Sequence, residues 1–178
     1  MGIFSSKPKP TDEQLKLIGR LDATYENLEK DLNSYEGFIK TFVEQATEIH
    51  KSAPKPIKTW DVLAEVCKKN KMELMLMFSL SYSCDYLMSN TGRLRMRGFM
   101  KEAQGLAVRL DELKTALELN MAKILDPMVP SDQNNSGGML GLYYCYEVIQ
   151  SDFDFSESMQ KKYKELDNLM KLHFGFKT

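Results

Sequence analysis

Residues 11–50 read TDEQLKLIGRLDATYENLEKDLNSYEGFIKTFVEQATEIH, and the spacing of the apolar residues in this stretch decides the fold class. They fall on Ile18, Leu21, Tyr25, Leu28, Leu32, Tyr35, Ile39, Phe42, Ala46 and Ile49, in steps that alternate between three and four throughout. Such a seam keeps one stripe of an α-helix apolar over several heptads, while Glu, Lys, Asp and Asn take the other positions. Thr11, three residues ahead of Gln14, has the capping-box pattern that opens a helix. Gly19 and Gly37 each weaken that helix by roughly 1 kcal/mol, yet the seam runs through both. A seam of this kind serves either a coiled coil between chains or the core-facing stripe of a bundle helix.

Downstream, KSAPKPIK (51–58) ends the first helix with two prolines, and Thr59 is the N-cap expected for a second. The second helix carries Leu63, Val66, Cys67, the run Leu74 to Phe78, then Leu80, Tyr82, Cys84, Tyr86 and Leu87. Apolar residues on every side predict burial all round, against the chain's own core and against a second neighbour such as another subunit. Ser89-Asn90-Thr91-Gly92 marks a break or only a kink, after which the helical pattern continues to Leu125 and stops at Asp126-Pro127. SDQNNSGG (131–138) reads as a loop. Apolar residues return over 139–149, and a last helix is expected from about Ser156 to Leu172. Nothing alternates with period two for long enough to make a strand. The expected fold is all-α: long antiparallel helices in a coiled-coil bundle.

Composition narrows the function classes. One domain suits 178 residues, with residues 1–10 as a flexible leader and 11–178 as the helical body. The 24 basic and 25 acidic residues nearly cancel, so no nucleic-acid partner is expected. Cys67, Cys84 and Cys145 are an odd number without a secretory signal, which reads as reduced, buried and cytosolic. His50 and His173 are far apart, and neither HExxH, Cys-x-x-Cys, Gly-x-Ser-x-Gly nor a Walker loop occurs. The reading is therefore of a non-enzyme without metal or cofactor. The longest apolar runs, Leu74 to Phe78 among them, are far too short to cross a bilayer.

Met1-Gly2-Ile3-Phe4-Ser5-Ser6 points to a membrane by another route. Gly2 with Ser6 four residues on is the acceptor pattern for N-myristoylation. One myristoyl chain binds bilayers only marginally, with an association constant of about 10⁴ M⁻¹. A second contribution is needed, either basic residues over anionic lipid or pairing of two acylated chains. Candidate membrane-binding cations are Lys7 and Lys9, Lys55 and Lys58 in the connector, Lys68 and Lys69, and the group Arg93, Arg95, Arg97 and Lys101. On one continuous helix Arg93, Arg97 and Lys101 would share a face. The expectation is a homodimer bound peripherally to the cytosolic face of an anionic phospholipid membrane. The alternative is a myristoylated adaptor that holds a cytoskeletal or trafficking partner through the seam.

One constellation carries a family resemblance. Ile124-Leu125-Asp126-Pro127-Met128 closes the second helical run, and Asp152-Phe153-Asp154 follows about 26 residues beyond Asp126, with Lys161, Lys162 and Tyr163 after it. On a background of long helices this resembles the BAR domain family, the endophilin- and amphiphysin-like proteins, over roughly residues 15 to 165. The resemblance implies a crescent-shaped homodimer of long helices that senses or shapes curved membranes in trafficking or endocytosis.

Overall fold

The structure, a computed structural model of the chain, describes residues 9–53 and 58–176, with the side chains at 32–36, 39, 59 and 100 outside the description. Every regular element among the described residues is a helix: α1 (Asp12–Ser52), α2 (Thr59–Lys69), α3 (Lys71–Met96), α4 (Met100–Leu125), α5 (Gly137–Gln150) and α6 (Phe155–Phe174). They form four legs that run alternately up and down: α1, then α2 with α3, then α4, then α5 with α6.

The first leg is the mast of the bundle. Its 41 residues extend about 62 Å. Thr11 opens it with both halves of the capping box, since the Gln14 N–H donates to Thr11 Oγ1 (3.2 Å) and the Thr11 N–H to Gln14 Oε1 (2.9 Å). Leu21, Tyr25, Leu28, Phe42 and Ala46 are buried, Ile18 and Ile49 are partly buried, and Leu17 beside the seam is buried as well. Leu32, Tyr35 and Ile39 lie outside the described side chains. The described seam residues are therefore used up within one chain, against α3 and α4. A dimer built on this seam, or a partner held by it, would have to displace the chain's own core.

The second run is not one long helix. Asn70 interrupts it with φ −113° and ψ 29°, and its buried amide donates to Val66 O (2.9 Å) and to Gln45 Oε1 on α1 (2.8 Å). The chain then reverses at Arg97-Gly98-Phe99, where Gly98 takes φ 97°, a conformation open to glycine. The reversal comes six residues beyond the Ser89–Gly92 stretch that suggested a break. There Asn90 and Thr91 are buried and donate to the carbonyls of Tyr86 and Leu87 one turn back, which keeps α3 helical. The all-round apolar pattern of α3 is explained by neighbours on several sides within the chain, α1, α4, α5 and α6.

The fourth leg starts from a close approach. Ser136 caps α5, accepting from the Met139 N–H, and Gly137 and Gly138 are its first residues rather than the end of a loop. A β-carbon on Gly137 would overlap the Val129 carbonyl oxygen, and one on Gly138 the Ala122 carbonyl oxygen. Two cores result. The one nearer the start of α1 joins Leu21, Leu87, Leu110 and Met170; the distal one joins Phe42, Leu74, Met121, Cys145 and Phe155.

Four of the residues that carried the family resemblance make local contacts in this bundle. Asp126 accepts the Gly138 N–H (2.9 Å), and Pro127 is exposed in the turn after α4. Asp152 pairs with Lys71 (2.9 Å), Phe153 packs its ring on Phe155 (4.6 Å between centroids), and Asp154 caps α6 by accepting from the Glu157 N–H (2.9 Å).

Candidate membrane interface

One end of the bundle gathers three chain segments. Gln14 Nε2 donates to His173 O (2.9 Å), tying the start of α1 to the end of α6. The Arg97 guanidinium donates to Gly175 O (3.1 Å), and Phe99 meets Phe174 edge-on at 5.0 Å, which brings the α3–α4 turn to the same place. Lys9 and Pro10 lead into α1 from this tip.

The tip is basic and partly apolar. Arg93 and Arg97 both lie over the Phe176 ring, at 5.9 and 5.8 Å from its centroid, and so help hold the segment after α6 in place. Arg95 and Lys101 are exposed and have no ion-pair partner among the described residues. Lys171 adds a further exposed cation from α6. Among these charges Met96 is 82% exposed and Leu172 75%. Both are apolar side chains left in water where burial in lipid would be favourable.

The sequence placed Arg93, Arg97 and Lys101 on one helix face. The structure instead puts Lys101 on α4, across the turn at Gly98, so the three share a tip and not a stripe. The remaining lysines do not join them. Lys58, Lys68 and Lys69 are exposed on or beside α2, and Lys69 pairs with Glu65 at 3.0 Å. Lys69 borders the Gln45–Glu48 stretch of α1, about 50 Å along that helix from Thr11. Lys9 is exposed at the tip, while Gly2, Lys7 and Lys55 lie outside the described residues. Met96 and Leu172 escaped the sequence reading. The alternation Arg93-Leu94-Arg95-Met96-Arg97 just ahead of Gly98 was the signal for an apolar residue presented on a charged turn.

A second hollow, of about 420 Å³, lies at mid-height between α3, α4 and α5. Met77, Met121 and Tyr146 line it together with an ionic group in which Lys114 pairs with Asp85 (2.8 Å) and Glu118 (3.5 Å). The hydrogen bond to Asp85 pushes the Lys114 ammonium above its usual pKa. Among the described residues no group of three or more His, Cys, Asp or Glu side chains could hold a metal, and no helix is long and apolar enough to cross a membrane. No family model, curated protein or solved structure matches the chain.

Proposed function

We propose that the protein binds membranes peripherally, resting its tip on an anionic leaflet through an acyl chain on Gly2 and through Arg95, Lys101 and Lys171, and that it serves membrane shaping or sensing in vesicle trafficking. The observation that supports this is the meeting, at one end, of the segment that leads from Gly2, the basic α3–α4 turn and the exposed Met96 and Leu172. Each cation near an anionic surface contributes about 1 kcal/mol. Two or three of them turn the marginal affinity of one acyl chain into stable attachment. A second copy belongs to the same proposal, because two acylated tips on one body raise avidity without new lipid contacts. The pairing surface is then one other than the α1 seam; Met72 (64% exposed) and Leu76 (52%), one turn apart on α3, are apolar and uncovered. The adaptor reading has less support, since it needs that seam free and Leu21, Tyr25, Leu28, Phe42 and Ala46 of the seam are buried.

Co-sedimentation with vesicles containing phosphatidylserine tests the reading. Acylated protein should bind, Gly2→Ala should bind far less, and Arg95→Glu with Lys101→Glu should weaken binding by at least about tenfold. Charge reversal at Lys68 and Lys69, far from the tip, should change nothing. Equal binding by all four proteins would overturn the proposal.

A further inference from the structure

A groove of about 830 Å³ runs between α1 and α4 just below the tip, within the size range of sites that hold small ligands. Ile18 and Val108 give it an apolar middle, and Val108 is 51% exposed. Leu15, one turn ahead of Gly19 on α1, is 44% exposed on the approach from the tip. The groove is open because Gly19 and Gly105 put no side chains into it, and nothing lies within 4 Å of where a β-carbon would stand on either. Its polar lining is Lys101, Glu102 and Gln104 on the side toward the tip and the Asp22–Arg109 ion pair below. Between Lys101 and Arg109 it spans about 12 Å of α4.

We propose that this groove stows the acyl chain carried by the protein's own amino-terminal segment, residues 1–8, when no membrane is at hand. The inference rests on acylation of Gly2 as proposed above. Length and placement single out this occupant. The segment joins the body at Lys9–Pro10, on the same tip, and the nine residues from Gly2 to Thr11 reach up to about 30 Å. Ile18 and Asp22 stand only about 10 and 17 Å along α1 from Thr11. A chain tethered so close has an effective concentration in the millimolar range, which an untethered competitor does not match. The hollow between α3, α4 and α5 lies farther from that tip, since Asp85 is about 18 Å along α3 from Arg97 and Lys114 about 20 Å along α4 from Lys101. The acyl chain then divides its time between groove and bilayer, and membrane affinity falls in proportion to the stowed fraction.

The test uses the full chain produced with an N-myristoyltransferase and a ¹³C-labelled acyl group, with acylation read from the intact mass. Gly105→Leu fills the groove; the open space at that position and the gain in helix propensity favour its folding. Acyl-to-Val108 and acyl-to-Ile18 nuclear Overhauser contacts are expected in the wild type and should vanish in Gly105→Leu. The acylated variant should also bind phosphatidylserine vesicles up to about tenfold more tightly than acylated wild type, as expected for release of a chain that is roughly nine-tenths stowed. The unacylated pair should bind equally. Absence of the contacts in acylated wild type overturns the groove and leaves the membrane anchor standing. A Gly2 that the transferase leaves unmodified overturns both.

Discussion

Near the tip most of the buried side chains are leucines that recur at helical spacing, Leu17, Leu21 and Leu28 on α1 against Leu80, Leu87 and Leu94 on α3 and Leu106, Leu110 and Leu113 on α4, joined by the Tyr86–Tyr163 stack and Phe174. The distal half is held by particular residues in particular places. Tyr82 stacks on Phe155 at 5.1 Å, Phe78 meets the same ring edge-on at 6.2 Å, Asn70 spends its amide on Gln45, and Gly138 lets α5 touch the α4 backbone. Periodic packing spreads stabilisation over many similar contacts, so a change at one seam position removes one side chain's share. Close approach concentrates it, because no other side chain fits where Gly138 stands.

Glycine substitution gives the largest separation between the halves. Gly138→Ala forces α5 off α4 and should cost about 3 kcal/mol, seen as a lower urea midpoint. Gly19→Ala, in open space on α1, should add about 0.5–1 kcal/mol, because alanine leaves the unfolded chain less conformational freedom to lose on folding. If both substitutions shift stability in the same direction, the contrast fails.

Much of the near half was legible and much of the distal half was not, for the same reason. A three-and-four repeat is written into neighbouring residues, so Leu21, Tyr25 and Leu28 could be assigned to a core and Thr11 to a cap from spacing alone. Whether the core belonged to one chain or two could not be read, because a seam looks the same from either partner; the reversal at Gly98 folds α4 back beside α1, where Leu21, Tyr25 and Leu28 are buried within the chain. Asn70 was passed over because a polar residue among Lys68, Lys69 and Lys71 looks like a solvated face, and only its contact with Gln45, 25 residues away, makes it a break. Gly137-Gly138 read as loop because glycine is common in loops, whereas here it answers to a backbone on another helix. The tip, likewise, is assembled from segments that are distant in sequence.

Asn70 allows a sharper and smaller test. Asn70→Ala removes its amide bonds to Gln45 and Val66 and should cost about 1–2 kcal/mol. Combined with Gln45→Ala in a double-mutant cycle, it should show coupling between α1 and the α2–α3 junction. Independent effects would mean that the break is held by packing alone.

Smallest of all is the effect of pH on the near core. Burial, with help from the neighbouring Asp85 charge, pushes the Cys84 thiol up from 9.0 to about 12. A raised thiol pKa means that the folded state holds the proton more tightly. Its contribution is complete below pH 9 and is lost as pH rises from there toward 12. At pH 8 the native protein should therefore leave Cys84 unlabelled by iodoacetamide, with labelling appearing only on unfolding. Native-state labelling at that pH would show that the leucine-rich half opens more readily than its packing implies.

The ion pair of Lys71 with Asp152 has a consequence for motion. It joins the two places where a leg is interrupted, so the second and fourth legs give way at one height, and α2 and α5 lie on the same side of both interruptions. A molecule jointed in that manner comes apart in stages. Deuterium should enter the amides of α2 and α5 through partial opening, while those in the middle of α4 wait for the whole bundle to melt.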